Sequence, residues 1–468
     1  RIRCGIFAAW LPVLPMPKGS SIMEAKKAII EAVAEYLAPL FGPATEILDD
    51  DYTRENFEDL AEMNGRRFML RVALTGQPDD EVYLFRAIPF TETEQAIARN
   101  ILEEWEKIFT TPHIDDYAAV CIRQAQIIGI AKILSPARHT TVLRMLNLLS
   151  FWASETYEGD KISFCVGIDE DDPRPGSVNF FDASKEDYAK VLTSGSDTLL
   201  VCNAEGGITA YCEADLPAEA EAAHVYAPLA FLPVAYWTSQ NRCFFCLSRN
   251  GDILIFKNRQ LFFAKRRGKW LHFSHQAYLA ELGYQGQGGS RGTIEALYLS
   301  LLDVSFRRKG ACIGFFRTNA VTPWMINERR NQRIGQNISQ DELVRISQDR
   351  LHGYLNEIVS QGDMLAHDAS SKTALLRSAL PSLNFAQIPR KLRAELLSID
   401  GATLIFDDGS VFAVGAILKI PGGSSSGGRK AAAMTLAEHG IGIKVSNDGH
   451  ITAWSRRAEE GQALFEIA

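Results

Sequence analysis

The sequence has no apolar run long enough for a membrane span. Its longest runs, such as residues 227–237, are too short and contain prolines. Residues 6–16 are apolar after two arginines, but prolines interrupt them. We therefore expect residues 1–22 to be a leader or an expression remnant, and the rest of the chain to be cytoplasmic with no membrane partner.

Cysteine is scarce, with eight in 468 residues, and most lie in apolar runs. This usage predicts a reduced, cytosolic protein in which cysteine serves as a small hydrophobe. Cys243 and Cys246 have a C-x-x-C spacing, yet they lie in a strand-like run where residues three apart face opposite sides. Without a second pair at zinc spacing, metal or redox use is the less favoured alternative.

An excess of positive charge is also missing. The formal net charge is −8, which argues against a general nucleic-acid binder. Residues 262–270 combine basic and aromatic side chains that could contact nucleic acid. Their strand-turn-strand pattern favours the tip of a β-hairpin instead.

Hydrophobic periodicity divides the chain into several predicted units. Residues 23–110 form an α+β unit, with helices at 22–41 and 91–109 and strands at 68–73 and 81–88. Residues 111–240 form an α/β unit, 241–284 a β-hairpin connector, and 285–468 a further domain. Thr91 is the predicted cap of the second helix.

The most informative stretch follows Asp400. Short apolar runs at 403–406 and 411–414 flank Asp407-Asp408-Gly409, which is typical of a β-hairpin whose aspartates are turn residues. A glycine-serine loop, 421–428, then leads into a predicted helix at 429–439. The loop could be a plain linker, but it lies between a strand and a helix.

A glycine-rich loop that opens a helix suggests a phosphate site. The first turn of a helix has unpaired amides, and its dipole favours an anion. Arg429 and Lys430 lie at the helix end that cations usually avoid, and a bound anion would remove that conflict. Asp400 precedes the first strand, and Gly401 would let a ligand or metal approach the backbone.

These residues resemble the paired motifs of the diadenylate cyclase domain. Asp400-Gly401-Ala402 is similar to the family's Asp-Gly-Ala, and the run from Gly427 to Ala433 is similar to its Gly-Thr-Arg-His-Arg-Ala-Ala. The resemblance covers about residues 285–457. Gly428, Lys430 and Ala431 replace the family's threonine, histidine and second arginine.

The resemblance implies an α/β fold, in which a mixed twisted sheet flanked by helices follows sensor-like α+β units. It implies condensation of two ATP molecules into cyclic di-AMP, with Mg²⁺ or Mn²⁺ as cofactor and a face-to-face catalytic dimer. The N-terminal half would regulate output by sensing a ligand that the sequence does not identify.

The resemblance also assigns roles to individual residues. The implied catalytic residues are Asp400, Gly401, Ala402 and Arg429, with Asp400 holding the metal. The implied phosphate-binding residues are Ser424, Ser425, Ser426, Gly427, Gly428, Arg429 and Lys430. Leu418 and Ser446 would border adenine.

Three alternatives stay open at this point. The first is a domain that binds ATP or a cyclic dinucleotide with weak or no turnover, as the substitutions at 428, 430 and 431 suggest. The second is a nucleotidyltransferase with another nucleotide or a linear product. The third is a structural or partner-binding protein whose glycine-serine loop is only a linker.

Overall fold

The computed structural model describes residues 30–42, 46–49, 68–73, 81–86, 90–109, 118–216, 224–283, 291–318, 338–366, 370–420, 427–456 and 463–467. The chain divides into two units, residues 1–274 and 275–468. The finer domain boundaries predicted from the sequence stay predictions.

The first unit begins with irregular helix and a small antiparallel sheet. The predicted helix at 22–41 is only partly regular in its described part: a π-helix, Val33–Leu37, is followed by a 3₁₀-helix, Ala38–Phe41. Pro39 lies in the 3₁₀ turn, where its missing amide donor disfavours a continuing α-helix. Strands β1 (Glu46–Asp49), β2 (Phe68–Ala73) and β3 (Glu81–Arg86) pair in the order β1-β3-β2.

Three helices follow: α1 (Glu92–Phe109), α2 (Ala118–Leu134) and α3 (His139–Trp152). The predicted cap at Thr91 is confirmed. Its hydroxyl accepts a hydrogen bond from the Glu94 amide at 3.2 Å, and the Glu94 carboxylate accepts one from the Thr91 amide at 2.8 Å. This reciprocal pair is a capping box, and it fixes the start of α1.

The rest of the first unit is built on a seven-stranded sheet with the order β12-β11-β10-β9-β6-β7-β8. Its elements are β4 (Thr156–Tyr157), β5 (Asp160–Lys161), β6 (Phe164–Asp169), α4 (Phe180–Ala183), β7 (Thr198–Cys202), β8 (Ile208–Glu213), α5 (Leu232–Trp237), β9 (Arg242–Leu247), β10 (Ile253–Lys257), β11 (Gln260–Arg266) and β12 (Lys269–His272). Strands β4 and β5 form a separate hairpin. The sequence pattern of residues 184–194 favours a short α-helix, but the structure has only a 3₁₀-helix there, Asp187–Val191.

Cys243 and Cys246 lie in β9, and both thiols are buried and free. The Cys243 thiol donates to the Leu134 carbonyl at 3.6 Å, whereas the Cys246 thiol donates to the Gly195 carbonyl at 2.9 Å. The two side chains therefore have separate surroundings. Burial raises the pKa of the Cys243 thiol to about 12, which keeps it protonated at neutral pH.

The second unit is an α/β structure built on a six-stranded sheet with the order β15-β14-β13-β16-β17-β18. Its elements are α6 (His275–Gly283), α7 (Arg291–Phe306), β13 (Ala311–Phe316), α8 (Gln340–Ile358), α9 (Ser371–Ala379), α10 (Arg390–Leu397), β14 (Ala402–Phe406), β15 (Val411–Ala416), α11 (Gly428–Ala437), β16 (Ile441–Val445), β17 (Ile451–Trp454) and β18 (Phe465–Ile467). Strands β13 and β14 are parallel, and the other pairs are antiparallel. The predicted α/β class with a mixed sheet is confirmed.

The outer side of β15 is covered by the chain's own backbone. Met364 forms a β-bridge with Ala413, and the Leu365 amide donates to the Phe412 carbonyl at 2.8 Å. Further bridges join Asn384 to Ser410 at one end and Val359 to Leu418 at the other. These contacts satisfy backbone groups that an edge strand otherwise leaves open.

Among the described residues, none of the helices has the length and apolar character needed to cross a membrane.

Candidate functional site

One end of the six-stranded sheet gathers the segments that the sequence singled out. Ala402, the first residue of β14, pairs with Cys312 near the start of β13 and with Ala416 at the end of β15. Ala311, which starts β13, pairs with Val445 at the end of β16. The starts of β13 and β14 and the ends of β15 and β16 therefore lie at the same end.

This topology places three of the predicted site residues near one another along the sheet end. Asp400 comes two residues before β14, Leu418 two residues after β15, and Ser446 directly after β16. Leu418 is partly buried against the core of this unit. The fold thus brings the predicted metal ligand and both predicted adenine contacts to one end of the sheet.

The Asp400 side chain is open to solvent, with 92% of its surface exposed. Gly401 beside it has a left-handed backbone, with φ of 102°. A Cβ atom at Gly401 would lie 2.5 Å from the carbonyl carbon of Gly415 in β15. Glycine is therefore required here by the close approach of the neighbouring strand, and Ala402 next to it is buried in the core.

Helix α11 begins at Gly428, one residue earlier than predicted, and Gly427 precedes it with φ of 90°. The amides of Lys430 and Ala431 donate to the Gly427 carbonyl at 3.1 Å and 3.2 Å. Helix geometry leaves the amides of Gly428 and Arg429 without partners inside the helix, so they are available to an anion. The predicted phosphate contacts Ser424, Ser425 and Ser426 lie outside the described residues.

Arg429 links the helix to the strand ends. Its Nη2 lies 4.0 Å from Oδ1 of Asp400, and its Nη1 donates to Oδ1 of Asn447 at 3.1 Å. Its backbone carbonyl accepts from the buried Cys312 thiol at 3.8 Å. The guanidinium is thus held beside Asp400, while 40% of the arginine side chain stays exposed.

The small residues of α11 have a packing role. Ala433, Leu436 and Ala437 are buried on the helix face toward the sheet. A Cβ atom at Gly442 in β16 would lie 1.7 Å from the carbonyl oxygen of Ala433, so helix and strand are in backbone contact. This contact fixes the height of α11 above the sheet and hence the position of Arg429.

Sequence reasoning missed Asn447, Gly310 and Gly415. Asn447 lies in the turn closed by the bond from the Gly449 amide to the Ser446 carbonyl, 2.8 Å long. Such Ser-Asn-Asp-Gly turns are common, so nothing in the sequence indicates that the asparagine side chain contacts Arg429. A Cβ atom at Gly310 would lie 2.1 Å from Nη1 of Arg429. Gly310 has no local signal, because its role depends on this side chain more than a hundred residues later.

The hairpin aspartates lie at the opposite end of β14. Asp408 is a turn residue as predicted, and its carboxylate accepts from the Ser410 amide at 2.8 Å. Asp407 is instead 2% exposed and accepts from the Thr318 amide and hydroxyl at 3.0 Å and 2.8 Å. Treating Asp407 as only a turn residue was therefore incomplete, because it also anchors the segment after β13.

Comparison with known proteins gives limited information. No family model matches the sequence, and no curated protein matches it. Among solved structures, a double mutant of DacA from Staphylococcus aureus is similar over 38% of this chain and 87% of that chain, with 16% sequence identity and a TM-score of 0.21. At this TM-score the similarity supports no functional conclusion.

Proposed function

We propose that the second unit is a diadenylate cyclase, which condenses two ATP molecules into cyclic di-AMP and releases two pyrophosphates. The observation that carries this proposal is the placement of Arg429 in the first turn of α11, 4.0 Å from the exposed carboxylate of Asp400. A phosphate-binding helix start and a free carboxylate thereby meet at one end of the sheet. The motif resemblance noted above supplies the reaction class.

The helix start is suited to a triphosphate. The unpaired amides at Gly428 and Arg429 and the helix dipole favour an anion. The planar guanidinium of Arg429 can donate two parallel hydrogen bonds to phosphate oxygens. Asn447 holds this guanidinium in place through the 3.1 Å bond, so less conformational freedom is lost when phosphate binds.

Asp400 fits the role of a ligand to Mg²⁺ or Mn²⁺. Mg²⁺ in phosphoryl-transfer sites is usually held by one or two carboxylates together with substrate phosphates and waters. No cluster of three or more acidic, histidine or cysteine side chains suited to a metal occurs in the described part of the chain. One exposed carboxylate beside a phosphate-binding helix start is therefore the kind of site in which the substrate completes the coordination. When bound, the metal would stabilise negative charge at the α-phosphate and on the attacking hydroxyl.

The reaction requires two substrates in opposite orientation. The 3′-hydroxyl oxygen of each ATP bonds to the α-phosphorus of the other, the bond from that phosphorus to the β-phosphate bridging oxygen breaks, and the hydroxyl proton is lost to solvent. Arg429 would hold the phosphates in line for this displacement. Each protomer supplies one half-site, so we expect two copies to meet face to face through this end of the sheet. Leu418 and Ser446 would border the adenine.

A nucleotide-binding module with weak or no turnover is the second candidate. It is favoured by Gly428, Lys430 and Ala431, which stand where the family has threonine, histidine and arginine. Gly428 lacks the threonine's hydroxyl and Ala431 lacks the arginine's guanidinium, while Lys430 keeps a positive charge without an imidazole. The exposed Asp400 favours the cyclase, since a pure binder has less need of a carboxylate beside the phosphates.

Both candidates are tested by incubating the full chain with ATP and Mg²⁺ or Mn²⁺, with mass detection of cyclic di-AMP. The variants are Asp400→Asn and Arg429→Ala. Asp408→Asn is the matched control, because it removes an exposed charge at the other end of β14. We expect product from the wild type and the control, and a loss of at least about a hundredfold in the two site variants.

The other outcomes assign the alternatives. ATP binding that Arg429→Ala weakens, without product, would establish the binding module. A product containing guanine, or a linear dinucleotide, would show a different nucleotidyltransferase. Equal output from wild type and Asp400→Asn would refute the role given to that carboxylate.

A further inference from the structure

The first unit contains a cavity of about 380 Å³ whose lining includes four cationic side chains. It is formed by the π-helix, by α2, and by the hairpin of β11 and β12. The charged residues lining it are Arg123, Lys265, Arg267, Lys269 and Glu35. We propose that this cavity binds a small phosphorylated molecule, and that it is the ligand site of the N-terminal half.

The charge balance of the cavity points to an anion with more than one negative charge. Four cations and one carboxylate leave a formal charge of +3 on the lining. Within the part of the chain that the structure describes, Arg123, Lys265 and Lys269 form no ion pair with a carboxylate. A single carboxylate ligand would leave most of this charge unbalanced, whereas a phosphate ester or pyrophosphate would neutralise it.

Lys265 is the least exposed cation of the cavity. Its ammonium lies 3.2 Å from the Ser150 hydroxyl and 5.9 Å from the centre of the Trp270 ring. Burial and, to a smaller degree, the charge of Arg123 lower the pKa of Lys265. A bound anion would oppose both effects, because it stabilises the charged ammonium.

The backbone around the cavity is specialised. Arg267 and Gly268 form the turn between β11 and β12, both with positive φ, 52° and 81°. Such turns favour asparagine or aspartate at the first position, so an arginine there is unusual and carries its charge to the cavity rim.

Glu35 and Tyr36 lie in the π-helix Val33–Leu37, a rare helix type that is frequent at functional sites. Arg123 donates to the Tyr36 hydroxyl at 3.5 Å, which draws α2 and the π-helix together at the cavity.

The size of the cavity favours a small molecule over a polymer. About 300–1,000 Å³ is usual for small-molecule sites, and the chain as a whole carries a charge of −8, which would repel extended nucleic acid. Arginine and lysine together suit phosphate: arginine through its fork and lysine as a compact charge.

Isothermal titration calorimetry tests this proposal on the full chain. Every protein carries Arg429→Ala, which weakens phosphate binding at the second unit. The titrants are inorganic pyrophosphate, AMP, adenosine, citrate and a short oligothymidylate. Arg123→Gln and Lys269→Gln change exposed cavity cations, and Lys161→Gln, on β5 and away from the cavity, is the matched control.

We expect pyrophosphate and AMP to bind and adenosine not to bind. Each cavity variant should weaken binding by about tenfold, which is the lower end of what one charged hydrogen bond contributes. The control should leave affinity unchanged, and added salt should weaken binding in the parent protein. Circular dichroism of each variant establishes that the fold is retained.

Several results would overturn the proposal. Failure of both pyrophosphate and AMP to bind would do so. Binding with unchanged affinity in Arg123→Gln and Lys269→Gln would also overturn it. Citrate binding as tightly as pyrophosphate would replace the phosphate assignment with a general polyanion site. A short oligothymidylate that binds more tightly through the same two cations would make the ligand a nucleic acid.

Discussion

Gly310 and Arg429 are in direct contact across the start of β13. A Cβ atom at Gly310 would lie 2.1 Å from Nη1 of Arg429 and 2.4 Å from Oδ1 of Asn447. Both distances are far shorter than a van der Waals contact. The guanidinium therefore cannot keep this position if residue 310 has a side chain. The absence of a side chain at Gly310 is thus part of what places Arg429 beside Asp400.

Gly310→Ala is therefore expected to displace the Arg429 guanidinium. ATP affinity should fall about tenfold or more, because the charged phosphate contact is lost or misaligned. The thermal midpoint should change little, since a flexible arginine end can move at small cost. Titration calorimetry with ATP and a thermal melt measure the two effects separately.

A double-mutant cycle is the control for this prediction. In an Arg429→Ala background the methyl group at 310 has no guanidinium to displace, so Gly310→Ala should weaken ATP binding no further. Fully additive losses would show that the methyl group acts through the backbone instead.

Gly427 and Gly428 should respond in opposite ways to alanine. Gly427 has φ of 90°, where a side chain is strained by about 1–2 kcal/mol. Gly428 is helical, and a Cβ atom there would meet nothing within 4 Å. Urea unfolding and ATP titration should show lower stability and affinity for Gly427→Ala, and unchanged or raised stability for Gly428→Ala. Equal effects would contradict the helix start described above.

Gly442→Ala should destabilise the second unit by about 2–3 kcal/mol, because the new methyl group would force α11 away from β16. The matched substitution is Gly353→Ala in α8, where a Cβ atom meets nothing within 4 Å. An exposed helical glycine gains about 0.5–1 kcal/mol on replacement by alanine. Denaturant unfolding of the two variants gives the comparison, and a harmless Gly442→Ala would show that the helix can shift freely.

His439 should make the second unit sensitive to acid. Its ring packs against Tyr354 with centroids 4.1 Å apart, and burial, together with the Arg456 charge, lowers its pKa to about 4. The folded state therefore favours the neutral ring, so its contribution is complete above a pH of about 6.5 and is lost as the pH falls toward about 4. Because the ring is only partly buried, we expect the free energy of unfolding to fall by about 1–2 kcal/mol.

The pH dependence is measured by urea unfolding of wild type and His439→Phe between pH values of about 7.5 and 4.5. The phenylalanine keeps a ring against Tyr354 but cannot take up a proton. Its stability should fall less over this range than that of the wild type. If the stability of the two proteins falls equally with pH, the His439 ring is solvated or protonated in the folded protein.

Elements set by continuous local patterns were predictable from the sequence. Strand 311–316 consists of apolar residues and glycine bounded by charged residues, and the structure has β13 at the same residues, Ala311–Phe316. The hairpins around Asp408 and Gly268 were also predictable, because glycine with positive φ marks the turn. Thr91 was recognisable as a cap because Glu94 follows at the required spacing.

Elements that depend on distant partners were not predictable. The four-residue helix Phe180–Ala183 starts where the Asn179 side chain accepts from the Phe181 amide, and its buried Phe180 packs on Trp152. Helical periodicity is too weak over four residues to show this. Strand β18 has three residues and exists through pairing with β17, so local propensity alone does not indicate it.

The residues of the candidate site also divide into those that the sequence predicts and those that it does not. Asp400 and Arg429 are chemically distinctive and lie in recognisable surroundings, so the sequence indicated both. Asn447, Gly310 and Gly415 act through geometry created by sheet pairing and by the height of α11. A glycine that makes room for a side chain more than a hundred positions away has no signature in its own neighbourhood.

The covered side of β15 also limits how copies of this protein can associate. Residues 359–365 and Asn384 occupy backbone groups along that strand, so another chain cannot add a strand there without displacing them. Growth of the sheet into a fibre through this edge is blocked for the same reason. Association through side chains at the Asp400 end keeps that protection in place, because it needs no exchange of backbone hydrogen bonds.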